Sequence, residues 1–249
     1  MRVLHSIAEL ESVPGPIFAA IGVFDGVHLG HQALIRRIRE DATAAGGTAL
    51  VVTFDPHPAR LLRPDRAPRL LTSTPHKTAL IAALGVTHLL VIPFTAEFAA
   101  QEPEHFVTAL QQAAQPLREI CVGHSWCFGK GRRGNLDLLR AMGDQLGFEE
   151  VGIPAVELEG EIVSSTLIRA SVEAGDLQKA ARLLGRDYSI LGTVQHGDHL
   201  GRTLGFPTAN LSAHNEQFPP NGVYAVEAKL SDECLLPGVV NIGVRPTVK

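Results

Sequence analysis

The chain has 249 residues and a formal charge of −4, so it lacks the surplus of Lys and Arg that a nucleic-acid binder needs, although a few local cations suffice for a small phosphorylated ligand. Hydrophobic residues make up 45% and charged residues 19%, which excludes disordered and fibrous classes and describes a soluble globule at the boundary between one domain and two. Three cysteines, Cys121, Cys127 and Cys234, are too few for a disulfide framework; with no secretory leader and no apolar run of membrane-spanning length, a cytoplasmic protein without membrane association is expected.

The first two thirds of the chain alternate short apolar runs with amphipathic stretches. Residues 17–22 read as a strand, residues 31–45 as a helix with Leu34, Ile35 and Ile38 on one face, and the β-branched run 48–54 as a second strand. Helical spacing at 76–84, ended by Gly85, precedes a strand at 88–92; a helix at 104–112, a strand at 119–122 and a helix at 136–146, ended by Gly147, follow. This alternation predicts an α/β domain, a doubly wound Rossmann-like parallel sheet covered on both faces. Residues 171–184 read as one more helix. From Tyr188 onward the pattern changes to short strands at 189–195, 224–230 and 239–242, with turns near Asp198, Pro220 and Asp232. They predict an antiparallel barrel that is incomplete at Lys249, so the expected domains are 1–185 and 186–249.

Four strings carry chemistry in the first domain. Gly22, Phe24, Asp25, Gly26, His28, Gly30 and His31 lie between the first strand and the first helix, where backbone amides and a positive helix end meet an anion. The glycines let the backbone approach a ligand, and two histidines three residues apart can donate to the same phosphates. Thr53, Phe54, Asp55, Pro56, His57 and Pro58 cap the second strand as a stiff loop at the same sheet edge. Ser164, Ser165 and Thr166 followed by Arg169 read either as a helix cap or as hydroxyls and a planar guanidinium fork for phosphates. Ser125, Trp126, Phe128 and Lys130 offer aromatic faces and a cation. Cys121, His124 and Cys127 match no common zinc spacing and read as residues around a strand end.

The first string resembles the H-x-G-H signature of nucleotidyltransferases and, over G-x-F-D-G-x-H-x-G-H, the prokaryotic bifunctional riboflavin kinase/FMN adenylyltransferase (FAD synthetase) family. The second is similar to that family's T-F-x-P-H-P stretch and the third to its S-S-T-x-I-R motif. The fourth departs from it, with Ser125 and Trp126 where the family has Asp or Asn followed by Phe. The resemblance implies transfer of AMP from ATP to FMN, giving FAD and pyrophosphate with Mg²⁺. It assigns His28, His31, Ser164, Ser165 and Arg169 to catalysis. Gly22, Phe24, Asp25, Gly26, Gly30, Thr166 and Lys130 would bind ATP and its phosphates, and Pro56, His57, Pro58, Ser125 and Phe128 the flavin.

In the second domain, Gly201, Arg202, Gly205, Phe206, Pro207, Thr208, Ala209 and Asn210 form a glycine-rich loop leading into a strand. G-R-x-L-G-F-P-T-A-N is similar to the signature of riboflavin kinases, which implies that Gly201, Arg202, Thr208 and Asn210 serve ATP, with Thr208 and Asn210 on Mg²⁺. Asn241, Arg245, Pro246 and Thr247 extend the likeness to the chain's last residues. The family's general-base glutamate falls beyond them, so weak phosphorylation of riboflavin is expected of a chain ending at Lys249. Two rivals share parts of this pattern. A nucleotidyltransferase with another acceptor would leave residues 201–211 without explanation, and a non-catalytic flavin-nucleotide binder is distinguished by a turnover assay.

Overall fold

The protein, in a computed structural model, is described over residues 1–195, 208–230 and 234–243. Asp198, Gly201, Arg202, Asp232 and Arg245 lie outside the described residues.

Six parallel strands form the main sheet: β1 (Arg2–Leu4), β2 (Ile17–Ile21), β3 (Thr48–Asp55), β4 (His88–Pro93), β5 (Leu117–Gly123) and β6 (Glu149–Ile153), in the order β1-β4-β3-β2-β5-β6. The central strands are continuous apolar runs because both faces are covered. Alternate side chains divide between two cores. Ile17, Ala19, Ile21, Leu50 and Val52 enter one, and Phe18, Ala20, Ala49 and Val51 the other. Helix α1 (Leu29–Ala44) contributes Leu34, Ile35 and Ile38 to the second core, and α3 (Thr74–Ala83) adds Ile81. Helices α5 (Pro103–Ala113) and α6 (Leu136–Leu146) supply Phe106, Leu110 and Leu139 to the first. Two short helices, α2 (Pro58–Leu62) and α4 (Ala96–Ala99), follow β3 and β4. Cys121 packs in the second core as a small apolar residue, and burial pushes its thiol up to about 12.

The helix expected at 171–184 is two helices, α7 (Ser165–Glu173) and α8 (Leu177–Leu184). Gly175 turns the chain at a φ of 79°, and Asp176 restarts it as an N-cap, accepting from the Lys179 amide at 2.9 Å. Both pack on a third core around Leu71, Ile168, Val172 and Leu183. Just before them, β7 (Glu157–Leu158) and β8 (Glu161–Ile162) form a small hairpin; after them, β9 (Gly192–Gln195) pairs antiparallel with β10 (Asn210–Ala213), and β11 (Gly222–Lys229) with β12 (Leu235–Ile242).

The second half is tied to the first by the buried Asn215 and the partly exposed Glu216. The Asn215 amide nitrogen donates to the Leu71 carbonyl at 2.6 Å and to that of Ser189 at 3.0 Å, while the Leu70 amide donates to Glu216 at 3.1 Å. The sheet order reverses at β2, with β3 and β5 on its two sides, so the loops after these strands share the crevice at a topological switch point. Among the described residues no helix is long and apolar enough to cross a membrane.

Candidate active site

The loop between β2 and α1 takes a backbone path that few residues favour. Phe24, Gly26 and Val27 have φ of 53°, 81° and 43°, and of the three only glycine adopts such angles without steric cost. Burial of Phe24 and Val27 holds them there, and so do the loop's carbonyls. The Val23 oxygen accepts from Thr53 Oγ1 and Lys77 Nζ, both at 3.0 Å, and that of Phe24 accepts from the Val27 amide at 3.2 Å. The Asp25 oxygen accepts from Ser165 Oγ at 2.9 Å and that of Gly26 from Arg186 Nη2 at 2.7 Å. Val27 completes the run by accepting from Gln32 Nε2 at 2.9 Å and Arg186 Nη1 at 3.1 Å. Every carbonyl from residue 23 to 27 is thereby committed within the protein.

His28 caps α1, its Nδ1 accepting from the His31 amide at 3.3 Å. That bond places the proton of the neutral ring on Nε2, which therefore presents a donor. The His31 ring stacks on it with centroids 3.6 Å apart and planes 18° from parallel. Burial pushes His28 down to about 4, partly opposed by Asp25; burial, then the neighbouring His28, Lys77 and Arg186, holds His31 well below the usual histidine value. Both rings are neutral at physiological pH, so any phosphate they meet is bound by N–H donation rather than by charge. Gly30 leaves little room for a side chain, since a Cβ there would lie 3.1 Å from the His28 ring, which would have to give by a few tenths of an ångström.

The Asp25 carboxylate is an internal hub. It accepts from the Thr72 amide at 2.9 Å, Thr72 Oγ1 at 3.1 Å and the Leu71 amide at 3.2 Å, and pairs with Arg169. Arg169 also donates through Nε to the Arg69 carbonyl at 2.7 Å, so Nε and Nη2 are engaged within the protein. Ser164 caps α7 by accepting from the Leu167 amide at 3.2 Å, Ser165 holds the Asp25 carbonyl, and Thr166 is exposed. The starts of α1 and α7 meet here: a Cβ on Gly30 would lie 3.9 Å from the Val163 carbonyl. Their unpaired first-turn amides, including those of Leu29 and Gly30, give two positive ends beside one loop.

After β3, His57 caps α2, its Nδ1 accepting from the Ala59 amide at 3.1 Å, with Pro56 and Pro58 on either side. Burial lowers its pKa, as do Arg169, Lys77 and Arg60, against the opposing pull of Asp25, which places the ring in the same charged neighbourhood. After β5, Ser125 is exposed and Trp126 stacks on Phe128 at 4.4 Å and 12°. Phe128 is only 8% exposed, so the half-buried indole is the more accessible aromatic surface. Lys130 lies 3.3 Å from Glu102. In the second half, Thr208 is exposed just before β10, and Asn210, also exposed, opens that strand opposite Gln195.

Sequence reasoning missed Lys77, Thr72 and Arg186, which hold the loop from behind. Lys77 left one signal, a lysine four residues before Ile81 on the buried stripe of its helix. Arg186, directly after the turn at Gly185, left none.

Comparison with known proteins agrees with this architecture. The FAD synthetase family model matches residues 11–167 and the riboflavin kinase family model residues 184–249. A bifunctional riboflavin kinase/FMN adenylyltransferase of Escherichia coli K12 is 38% identical over 249 residues, covering 100% of this chain and 80% of that protein. The enzyme of the same description from Bacillus subtilis 168 is 39% identical over 92% of this chain and 72% of its own length. A solved structure described as "Macrolide-efflux Protein from Streptococcus pneumoniae" superposes with a TM-score of 0.80 at 26% identity, over 100% of this chain and 81% of that one. With both family models matched in series, the chain belongs to the bifunctional riboflavin kinase/FMN adenylyltransferase family.

Proposed function

We propose that residues 1–185 form a domain that transfers the adenylyl group of ATP to FMN, and that residues 186–249 belong to a riboflavin kinase domain. The observation that carries the first part is the meeting of two helix starts and a carbonyl-anchored loop, with two neutral histidines, at the switch point of the sheet. A phosphate oxygen of FMN attacks the α-phosphorus of ATP; the new P–O bond forms as the bond to the β-phosphate breaks, and pyrophosphate leaves with the electron pair. The attacking oxygen is already anionic, so no side chain has to take a proton.

The protein's work is alignment and charge stabilisation. His28 donates from Nε2 to phosphate oxygens, His31 backs it by stacking, and the amides of Leu29 and Gly30 add further donors. Ser164 and Thr166 bring hydroxyls at the start of α7, while Arg169 and Asp25 fix the loop against that helix. His57, with Pro56 and Pro58, walls one side of the flavin. Trp126, stacked over Phe128, replaces the family's Phe as the wall on the other side. Mg²⁺ bound to the ATP phosphates would offset the charge developing on pyrophosphate. In the second half, the exposed Thr208 hydroxyl and Asn210 amide oxygen are hard, neutral ligands of the kind Mg²⁺ accepts beside phosphate.

The test is FAD formation from FMN and Mg–ATP by the His28→Ala, His31→Ala and doubly substituted proteins, with thermal unfolding in parallel. Each single change is expected to cost turnover at least about 100-fold with the fold retained, as loss of a transition-state donor does elsewhere. Near wild-type turnover in a folded double variant overturns the assignment.

A further inference from the structure

We infer that Lys77 is a positioning residue for adenylyl transfer, holding the loop after β2 from behind through a buried ammonium on the Val23 carbonyl. This rests on the adenylyltransferase reading above. Lys77 projects from α3 into the protein and is 5% exposed. Its Nζ lies 3.0 Å from the Val23 carbonyl and 3.0 Å from Thr53 Oγ1, and Thr53 Oγ1 is itself 3.0 Å from the Val23 carbonyl. The three atoms close a triangle beneath the residue that precedes the left-handed Phe24.

The Val23 oxygen already has a donor in Thr53, so a neutral side chain at position 77 would leave it hydrogen-bonded. Among the described residues Lys77 also has no carboxylate within ion-pair distance. A buried ammonium without such a partner is costly, and burial accordingly lowers its pKa to about 8, against the favourable pull of Asp25 and Asp55. The loop receives in return a buried charge held against the Val23 carbonyl, where the chain has just left β2.

The charged and titratable groups acting on His31 are Lys77, Arg186 and the stacked His28, with Asp25 and Arg169 acting on His28. Lys77 and Arg186 both disfavour a proton on His31. Removing the Lys77 charge therefore raises the pKa of His31, and the acid limb of turnover moves to higher pH. A purely structural lysine would lower stability and leave that limb where it was.

The experiment compares the full chain with Lys77→Met and Lys77→Arg. Turnover of FMN with Mg–ATP is followed from about pH 3 to 9, so that the limb set by the two depressed histidines falls inside the range, and the His31 ring is titrated by NMR over the same range in the ligand-free protein. Lys77→Met is expected to lower kcat roughly 10- to 100-fold, the range for a misplaced catalytic loop, with a smaller change in KM for ATP. It should also raise the His31 titration midpoint, and Lys77→Arg should restore most of both. Should Lys77→Met fail to fold, Lys77→Gln, which keeps a donor without the charge, takes its place. An active wild-type chain whose neutral variant shows the same kcat and the same His31 midpoint overturns the inference. A wild-type chain that makes no FAD overturns the adenylyltransferase reading instead, while the ligand-free titration still decides whether Lys77 acts on His31.

Discussion

Replacing Asp25 by Asn removes one charge and reverses the polarity of half its contacts. Whichever way the new amide is turned, its NH₂ group faces donors: either the Leu71 amide and Arg169, or the Thr72 amide and hydroxyl. Arg169 is left without its partner in a site where its side chain is only 14% exposed. Breaking a buried pair by removing one member costs about 3–5 kcal/mol, and an unsatisfied buried N–H about 1–3 kcal/mol. The two overlap because they share one oxygen, so a loss of about 4 kcal/mol is expected. For a chain of this size that corresponds to a Tm lower by roughly 8–16 °C. Trp126 is the single tryptophan, so its emission during urea unfolding reports on the parallel-sheet part of the chain. A double-mutant cycle with Arg169→Met isolates the pair, and a coupling of about 2 kcal/mol or more is expected. A loss below about 1 kcal/mol, or strict additivity, would refute the hub.

Glu119 is buried in β5, and burial together with Asp41 pushes its carboxyl up to about 8. The folded state keeps this proton to higher pH than the unfolded chain does, so the stability it contributes drains away as pH rises from about 4.5 to 8. Glu119→Gln should flatten that decline, gaining about 1–3 kcal/mol at pH 8 relative to pH 5 in paired urea titrations; identical pH slopes contradict the assignment. Asn215→Ala removes the hydrogen bond that crosses to Leu71 and those to Tyr188, Ser189 and Leu191, each worth about 1 kcal/mol or less. Protease cleavage between residues 185 and 192 should accelerate about tenfold or more while the first domain survives, and unchanged cleavage kinetics count against Asn215 as the tie between the halves.

The central strands were legible because burial on both faces leaves the sequence no choice but a continuous apolar run, as in Leu50, Val51 and Val52. The edge strands were not. β1 has three residues, and β6 begins with Glu149 and Glu150, because an edge is half-buried and tolerates charge. The break between α7 and α8 was written locally, as a glycine followed by a capping aspartate, and helical periodicity on either side concealed it. The first loop was legible as a place for anions, since glycines and histidines before a helix carry that meaning by themselves. What Asp25 and Arg169 do for each other was not: they are 144 positions apart, and the sequence offers each of them to the nucleotide and neither to the other. The same holds for the stack of Trp126 on Phe128, which turns two candidate ring walls into one.

The loop's carbonyls are held by donors from four distant places, Thr53 in β3, Lys77 in α3, Ser165 in α7 and Arg186 beyond α8. A transplant of residues 22–31 into another parallel sheet would carry the glycines and histidines and leave the backbone without its moorings. The recipient would show the signature and lack the shape. Conversely, a relative can drift at any of the four moorings and lose the site while its string of glycines and histidines reads intact. Those four positions, rather than the string, are where a working loop can be told from an inherited one.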